Sequence, residues 1–582
     1  MIDNRRVKEK EIRIKIVIFL LISIWVFFFA KLGYIQIFRK GYYSEKSQKQ
    51  SVEKIIVWPE RGKIFDRNGK LIATNVKTTT LVAFPRKIKD KKKTALLLSE
   101  QGYGSFDKLY RDIKRKNFIY IKRNLEKKPP KKIKEIEGID LLQDRKRFYP
   151  YGSLCSSLIG FVGTEYSGLE GLEFEFDTLL GGKPGWAHLQ KSPMGLLYPH
   201  PALPRKSPKS GKDIALTIDI DIQSIVHSEL EKVIKSTSAK GGIVVVVNPR
   251  TGEILAMVNV PGYDPNYPLQ YDNKLWINCA ISELFEPGST FKIVTATAAL
   301  EEKLFNLDDI VEDGKGVTTV GRVKIKDAEK HGPLTFVEFV EHSSNVAATK
   351  IAQKIGKKKF YCYIRAFGFG SRTKIRLPGE EKGFVGSPFH WTPLKFATIS
   401  FGQGVSVTAL QLIYAYSAIA NDGVLLNPFL VRSIISNKGD TLYTSTPVVV
   451  RRVMKEETAQ ILKDILLGAV DSGTGKFARI NGIDIAGKTG TAEKSKPVVG
   501  YGKGEYVASF IGFLPAKTPQ LLIGVFIDEP KEGLHWGGYV AAPLFRKIAQ
   551  RILYLDKYND KIFNDHIAKG SRIKSDETVK DN

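Results

Sequence analysis

Residues 285 to 296 read FEPGSTFKIVTA. Pro287-Gly288 supplies a turn, and a run of apolar and small residues follows from Ile293 to Leu300. That run predicts a buried helix around Phe291–Leu300. Ser289 and Lys292 stand three residues apart at its head, so hydroxyl and amine share a face and can meet. The free N–H groups and positive dipole end of a first helical turn would favour negative charge developing at Ser289. A lysine at the head of a buried helix is costly unless it is used. Taken alone, Ser-x-x-Lys arises by chance in any long chain, and its ordinary meaning is a serine cap beside a surface lysine.

Two further elements change the odds. EHSSNVAATK, from Glu341, places Ser343 and Asn345 two apart between the helical stretches LTFVEFVE and VAATKIAQKIG. In an extended loop such residues point the same way; a helix cap is the plainer alternative. IAGKTGTAEK, from Ile485, places Lys488, Thr489, Gly490 and Thr491 on an expected strand. Gly490 there removes a side chain where another backbone could come close.

The surroundings predict an α+β layer domain. DIALTIDIDIQ alternates as a strand and leads into the helix SIVHSELEKVI; GGIVVVVNPRTGEILAMVNV reads as a hairpin around Pro249–Gly252. VASFIGFLP and LLIGVFIDEP form a late hairpin across Ala516–Pro519, and PLFRKIAQRILYL a closing amphipathic helix. Strands at both ends with helices between exclude an alternating βαβ layout.

The 582 residues suggest several domains, with 43% hydrophobic and 10% aromatic residues to build their cores. The net charge of +29 fits a lysine-rich solvated surface or one that meets anionic polymer or lipid. It is not read as nucleic-acid binding, because no zinc-ligand spacing, helix-turn-helix signal or RNP-like aromatic stretch accompanies it. Three widely spaced cysteines, Cys155, Cys279 and Cys362, imply neither a disulfide framework nor a metal site.

Residues 16–38 begin with the uncharged IVIFLLISIWVFFFA and continue past Lys31 to Phe38, the length of a membrane-spanning helix. Lys31 can snorkel to the interface. Arg5, Arg6, Lys8, Lys10, Arg13 and Lys15 favour a cytoplasmic tail at 1–15 and export of the rest. The apolar run is long for a cleaved signal peptide. Residues 39–210 are polar, basic and turn-rich. Their lysine clusters at Arg86–Lys93 and Glu126–Lys134 are read as exposed loops or solvated faces. RGKIFDRNG, from Arg61, reads as a strand and a turn, with Asn68-Gly69 a hairpin signal. The charged, apolar-poor residues 557–582 are read as disordered.

Ser-x-x-Lys, Ser-x-Asn and Lys-Thr-Gly in this order form the motif set of penicillin-interacting acyltransferases. The sequence resembles the class B penicillin-binding proteins, monofunctional peptidoglycan transpeptidases, over nearly its whole length. RGKIFDRNGKLIA, RFYPYG (Arg147–Gly152) and GLEGLEFEFDTLLGGKPG (Gly168–Gly185) are similar to the three pedestal motifs of that class. GEILAMVNVPGYDPN, FGQGVSVTALQL and GGYVAAPLF are similar to its transpeptidase domain. The resemblance implies a β-rich, elongated pedestal at 39–210 and a transpeptidase domain at 211–556, with a central antiparallel sheet flanked by helices, as in serine β-lactamases.

It also implies roles. Ser289 attacks the D-Ala-D-Ala carbonyl of a stem peptide, with Lys292 as base, kept neutral by burial and by Lys488. Ser343 relays a proton to the leaving amine, and Asn345 binds the substrate amide. Lys488 and Thr489 hold the terminal carboxylate, beside Gly490. The backbone N–H groups of Ser289 and Thr491 form the oxyanion hole. A neighbouring stem-peptide amine, on a glycan strand derived from a lipid-linked precursor, completes the cross-link. No metal or organic cofactor enters, and β-lactams mimic the dipeptide. The implied setting is the bacterial inner membrane, crossed once, with the catalytic part periplasmic and a polytopic glycosyltransferase and other division proteins as partners. Ser344 stands where class A β-lactamases carry Asp, and their deacylating glutamate motif is not found. FEPGSTFK and GGYVAAPLF look more like the cell-division, septal member than the elongation member. An elongation transpeptidase is the alternative within the class, and a catalytically silent membrane-anchored scaffold the alternative outside it. Arg61, Asp66, Arg67, Arg147 and Glu170 are expected to form interdomain salt bridges and turns.

Overall fold

The computed structural model describes residues 3–116, 118–125, 127–191, 197–199, 201, 203–494, 504–531, 535–556 and 558. Their contacts divide the chain into two units: Met1–Glu60 with Gly182–Ser210, and Arg61–Gly181 with Gly211–Asn582.

In the larger unit both expected hairpins form. The helix α1 (Ile220–Ser236) is capped by Asp219, whose side chain accepts the Asp221 N–H. The strands β1 (Gly241–Asn248) and β2 (Glu253–Val260) pair antiparallel across the Pro249–Gly252 turn. Further along come the helices α2 (Lys292–Glu301), α3 (Phe336–Glu341), α4 (Asn345–Ile355), α5 (Ala409–Ala420) and α6 (Glu456–Asp471). Then follow β3 (Ala486–Glu493), β4 (Tyr506–Leu514), β5 (Leu521–Asp528) and the closing helix α7 (Gly537–Leu553). The strands make one antiparallel sheet in the order β2-β1-β5-β4-β3.

Strand alternation builds two cores, one on each face of this sheet. Val244 and Val246 of β1, with Ala508 and Phe510 of β4, join Val226 and Leu230 of α1 and Leu544 and Ile548 of α7. Val245 and Val247, with Ile511 and Phe513, join Ile293 of α2, Leu412 of α5 and Leu462 of α6. The domain is thus α+β, helices covering both faces of the sheet. Because both faces are buried, β1 reads as an unbroken apolar run rather than an alternating one.

The closing helix begins six residues before the PLFRKIAQ stretch that announces it, with Pro543 inside it. Its first residue sits where a side chain cannot. A Cβ on Gly537 would lie 2.3 Å from the Gly490 carbonyl oxygen and 2.4 Å from that of Ser509.

In the same unit, Ile64–Phe65 pairs parallel with Asp213–Leu216 and antiparallel with Leu71–Ala83, which pairs in turn with Ile139–Phe148. The Asn68-Gly69 turn forms. Asp66 accepts the N–H groups of Asn68 (2.8 Å) and Lys70 (2.7 Å), and Gly69 has φ +84°. Arg67 reaches Glu253 of β2 at 3.4 Å. Arg61 and Arg147 converge on one carboxylate that is 0% exposed, Glu173, at 2.6 and 2.7 Å; Arg61 also meets Asp177 at 2.6 Å. Glu170, expected in this network, makes no ion pair among the described residues. It instead precedes the short helix Gly171–Glu175, whose turn carries Glu173 inward. The lysine clusters are not loops throughout: Lys91–Glu100 is a helix capped by Asp90, and Lys131–Lys134 a single helical turn.

The smaller unit holds the N-terminal helix Asp3–Ile37, of which Val7–Ile37 is long and apolar enough to cross a membrane. Its large apolar side chains, among them Phe19, Trp25 and Phe29, are exposed along its length. Gly185–Lys191 pairs with Val52–Val57, Leu197–Pro199 and Arg205–Lys206. The segment 557–582 lies, Tyr558 apart, outside the described residues.

Removing one partner of a buried ion network leaves the others uncompensated. Glu173→Ala strands the buried Arg147 guanidinium, leaves Arg61 with Asp177 alone and is expected to cost about 3–5 kcal/mol, read as a lowered urea midpoint. Asp177→Asn, at a side chain 38% exposed, should cost far less.

Candidate active site

The FEPGSTFK stretch does not start directly as an α-helix. Gly288–Phe291 is a 3-10 turn and α2 begins at Lys292. Hydrogen bonds to the turn's own carbonyls hold it tight. Thr290 Oγ1 donates to Pro287 O (2.7 Å), and the buried Tyr416 hydroxyl of α5 donates to Thr290 O (2.8 Å). Gly288, at φ +55°, donates its N–H to Gly402 O (3.1 Å). Gly402 is itself forced to be glycine, since a Cβ there would lie 2.2 Å from Gly288 O. Ser289 is therefore raised in this turn, half-exposed, while the next turn buries Lys292 completely.

Ser343 does not lie in an extended loop. The helix α3, opened by a Thr335/Glu338 capping box, ends through Ser343 in the left-handed conformation at φ +61°, and Ser344 N–H donates back to Phe339 O (3.0 Å). Ser344 then caps α4 by accepting the Ala347 N–H (2.9 Å). The plainer helix-cap reading thus falls to Ser344, which leaves Ser343 and Asn345 turned toward Lys292.

The Lys292 amine meets four oxygens: Ser289 Oγ at 3.0 Å, Ser343 O at 2.5 Å, Ser343 Oγ at 3.1 Å and Asn345 Oδ1 at 2.8 Å. The Asn345 amide orientation is set from its other end, where Nδ2 donates to Lys326 O (3.2 Å). Two of the four oxygens, the Ser343 carbonyl and Asn345 Oδ1, can only accept. A neutral amine gives one N–H to each and turns its lone pair toward the two hydroxyls. Burial drives the Lys292 pKa well below that of a free lysine; Lys488 adds to the effect, and Asp327 opposes it.

Lys488, Thr489, Gly490 and Thr491 lie on β3, at the edge of the sheet and against the Ser289 turn. A Cβ on Gly490 would stand 2.4 Å from Ser509 Oγ and 2.8 Å from Thr290 Cγ2, so the glycine admits side chains from both neighbours. Thr489 Oγ1 donates to Thr474 Oγ1 (2.8 Å), and Thr491 Oγ1 accepts the Gly537 N–H (3.0 Å). Lys488 is 0% exposed, and burial lowers its pKa to about 7.

All eight residues singled out from the sequence fall on the three elements that meet here. Asp327, Tyr416 and Thr474 support the same elements and carry no motif of their own; Gly402 supports them from within FGQGVSVTALQL. Gly402, in FGQG, was the most readable, as a glycine between two helical stretches.

Residues 242–550 match the penicillin binding protein transpeptidase domain, and residues 56–216 the penicillin-binding protein dimerisation domain. Stage V sporulation protein D of Bacillus subtilis is 35% identical over 93% of this chain and 86% of its own length. The probable peptidoglycan D,D-transpeptidase PenA of Neisseria meningitidis is 34% identical over 91% of each. The peptidoglycan D,D-transpeptidase FtsI of Buchnera aphidicola is 32% identical over 93% of this chain and 95% of its own. Among solved structures, penicillin binding protein 3 of Mycobacterium tuberculosis complexed with aztreonam superimposes with a TM-score of 0.68, at 29% identity, over 86% of this chain and 97% of that one. The buried lysine and its serines sit inside the transpeptidase match. The chain belongs to the class B penicillin-binding proteins, the peptidoglycan D,D-transpeptidases.

Proposed function

We propose that this transpeptidase works through Ser289 and Lys292 and acts in septum synthesis during cell division. The observation that carries the catalytic reading is the Lys292 amine, fully buried and 3.0 Å from Ser289 Oγ. Ser289 Oγ attacks the carbonyl between the two terminal D-alanines of a stem peptide as its proton passes to Lys292 Nζ. Backbone N–H groups of Ser289 and Thr491 hold the oxyanion. The peptide bond breaks as Ser343 Oγ passes a proton to the departing D-alanine nitrogen and recovers one from Lys292. The ester on Ser289 is then attacked by an amine of a neighbouring stem peptide, with the same groups acting in reverse. Protonated Lys488 and Thr489 Oγ1 hold the carboxylate of the departing D-alanine. Asn345 donates to the substrate amide through the second N–H of Nδ2, and Gly490 follows Thr489 on the strand that holds the carboxylate.

β-Lactams acylate Ser289 in the same way, a reading supported by the aztreonam complex of the mycobacterial relative. Residues 211–556 form the catalytic domain and 39–210 the pedestal, with 16–38 as the anchor, residues 1–15 cytoplasmic and the catalytic domain outside the membrane. The basic residues before the span support that orientation. Stem peptides on glycan strands are the substrates, and a polytopic glycosyltransferase with other division proteins the partners. The septal assignment rests on FEPGSTFK and GGYVAAPLF.

A fluorescent penicillin should label the wild type covalently and Ser289→Ala not at all; equal labelling would remove Ser289 as nucleophile. Lys292→Met should slow acylation by about 10²–10⁴-fold.

Lys488 must be charged to hold a carboxylate. With its free-enzyme pKa at about 7, acylation at low β-lactam concentration should decline as pH rises through that value. Lys488→Arg keeps its charge to pH above 12, so the decline should move to higher pH. An unmoved decline would assign it to another group.

A fluorescent fusion should concentrate at mid-cell; a side-wall pattern would favour the elongation role.

A further inference from the structure

We propose that Asp327 is a positioning residue of the transpeptidase: it fastens the Ser343–Asn345 turn from behind and so sets where Ser343 Oγ and Asn345 Oδ1 meet the Lys292 amine. Asp327 follows the hairpin Val317–Val320/Val323–Lys326, and its own N–H is tied to Gly316 O (3.1 Å). Its carboxylate faces the start of α4. Oδ2 accepts the Ser344 hydroxyl (2.8 Å), and Oδ1 accepts the N–H groups of Asn345 (2.5 Å) and Val346 (3.0 Å). The preceding residue takes part too, since Lys326 O accepts Asn345 Nδ2 (3.2 Å). The hairpin end thus holds both sides of Asn345, leaving Oδ1 for the lysine.

Three donors on one carboxylate at a helix N-terminus make a charge-assisted clasp. It has something to restrain. Ser343 is a non-glycine residue at φ +61°, a conformation that L side chains rarely adopt and that persists only when its surroundings impose it. Release of the clasp lets that turn relax and moves Ser343 Oγ off the amine.

The carboxylate also acts at a distance on the proton of Lys292. Lys488, from β3, favours the neutral amine, and Asp327, from the hairpin, favours the ammonium. The other titratable groups of the turn surround His342, which is faced by His331, Glu338, Glu329 and Lys488. Asp327 therefore does two things that can be separated by substitution. Asp327→Asn retains an accepting oxygen and loses the charge; Asp327→Ala loses both.

The inference rests on Lys292 as the base, and the test separates the two. Acylation of the full-length protein by a saturating chromogenic cephalosporin, where binding through Lys488 does not limit the rate, is followed against pH in a His342→Asn background, which removes the histidine of the turn. Wild-type residues at 292 and 327 should give a rate that rises with pH as Lys292 loses its proton. Asp327→Asn should move that rise toward lower pH by about 1 unit, because the charge that favours the ammonium is gone. Asp327→Ala should lower the acylation rate at saturating cephalosporin by about 10²-fold with little change in the binding constant. Circular dichroism and melting temperature report whether each variant is folded. If Asp327→Ala does not fold, Asp327→Ser, whose side chain is too short to reach all three donors, takes its place. A folded Ala or Ser variant that acylates at the wild-type rate overturns the positioning role, and a rise that is present but unmoved in Asp327→Asn overturns the charge effect on Lys292. A pH profile with no rise at all overturns Lys292 as the base.

Discussion

The site is organised around an amine that has no access to water. Lys292 is fully buried, and a buried lysine must shed its proton or find partners for it. Here the two obligate acceptors, Ser343 O and Asn345 Oδ1, match the two N–H groups of a neutral amine, and the two hydroxyls are left for its lone pair. A protonated lysine could also fill this cage, but it would have nothing to offer Ser289 as a base. Burial and Lys488 push against that form, and Asp327 restrains the push. These opposed influences leave the Lys292 pKa well below that of a free lysine.

That balance demands three elements from distant parts of the chain in one place, and backbone close approach makes it possible. The 3-10 turn that raises Ser289 is seated between β3 and the Phe401–Gly404 segment, at Gly288, which takes φ +55°, and at Gly402, where a side chain would collide with the Gly288 backbone. Gly490 admits Thr290 and Ser509, and Gly537 brings the closing helix onto β3 and β4. The sheet supplies stiffness, because both its faces are packed with apolar cores. Its edge strand carries Lys488 to Thr491, so a rigid layer holds Lys488 while the helical turns hold Ser289 and Lys292.

How much of this could be read in the sequence follows from the range of each interaction. Hairpins and helix starts are local, and the Asn68-Gly69 turn, the β1–β2 hairpin and the β4–β5 hairpin formed where their residues announced them. The eight motif residues were legible because three weak signals in fixed order reinforce one another. The local reading failed at Ser343, where the end of one helix and the start of the next meet in three residues, and at Ser289, where a distant partner decides the backbone. Ser343 is left-handed because α3 ends there and the Ser344 N–H turns back to Phe339 O. Ser289 lies in a 3-10 turn because Tyr416, far along the chain, takes the Thr290 carbonyl.

The pedestal motifs show the same limit in electrostatic form. Arg61 and Arg147 could be recognised as bridge formers, yet the carboxylate between them is Glu173, not the nearby Glu170. The two acids are three residues apart, and only the turn of Gly171–Glu175 decides which one points inward. Two guanidiniums on one buried carboxylate, with Asp177 completing the charge, are poor value as stability when weighed against an apolar core. They are directional, though, and tie Arg61, next to the strand that pairs with Asp213–Leu216, to the segment around Gly168 through the Tyr166 and Glu173 carbonyls. A core of leucines could fill the same volume without fixing that register. The buried lysine and the buried carboxylate are alike in this respect: each is an expensive polar group whose geometry, rather than its energy, holds apart segments in one arrangement.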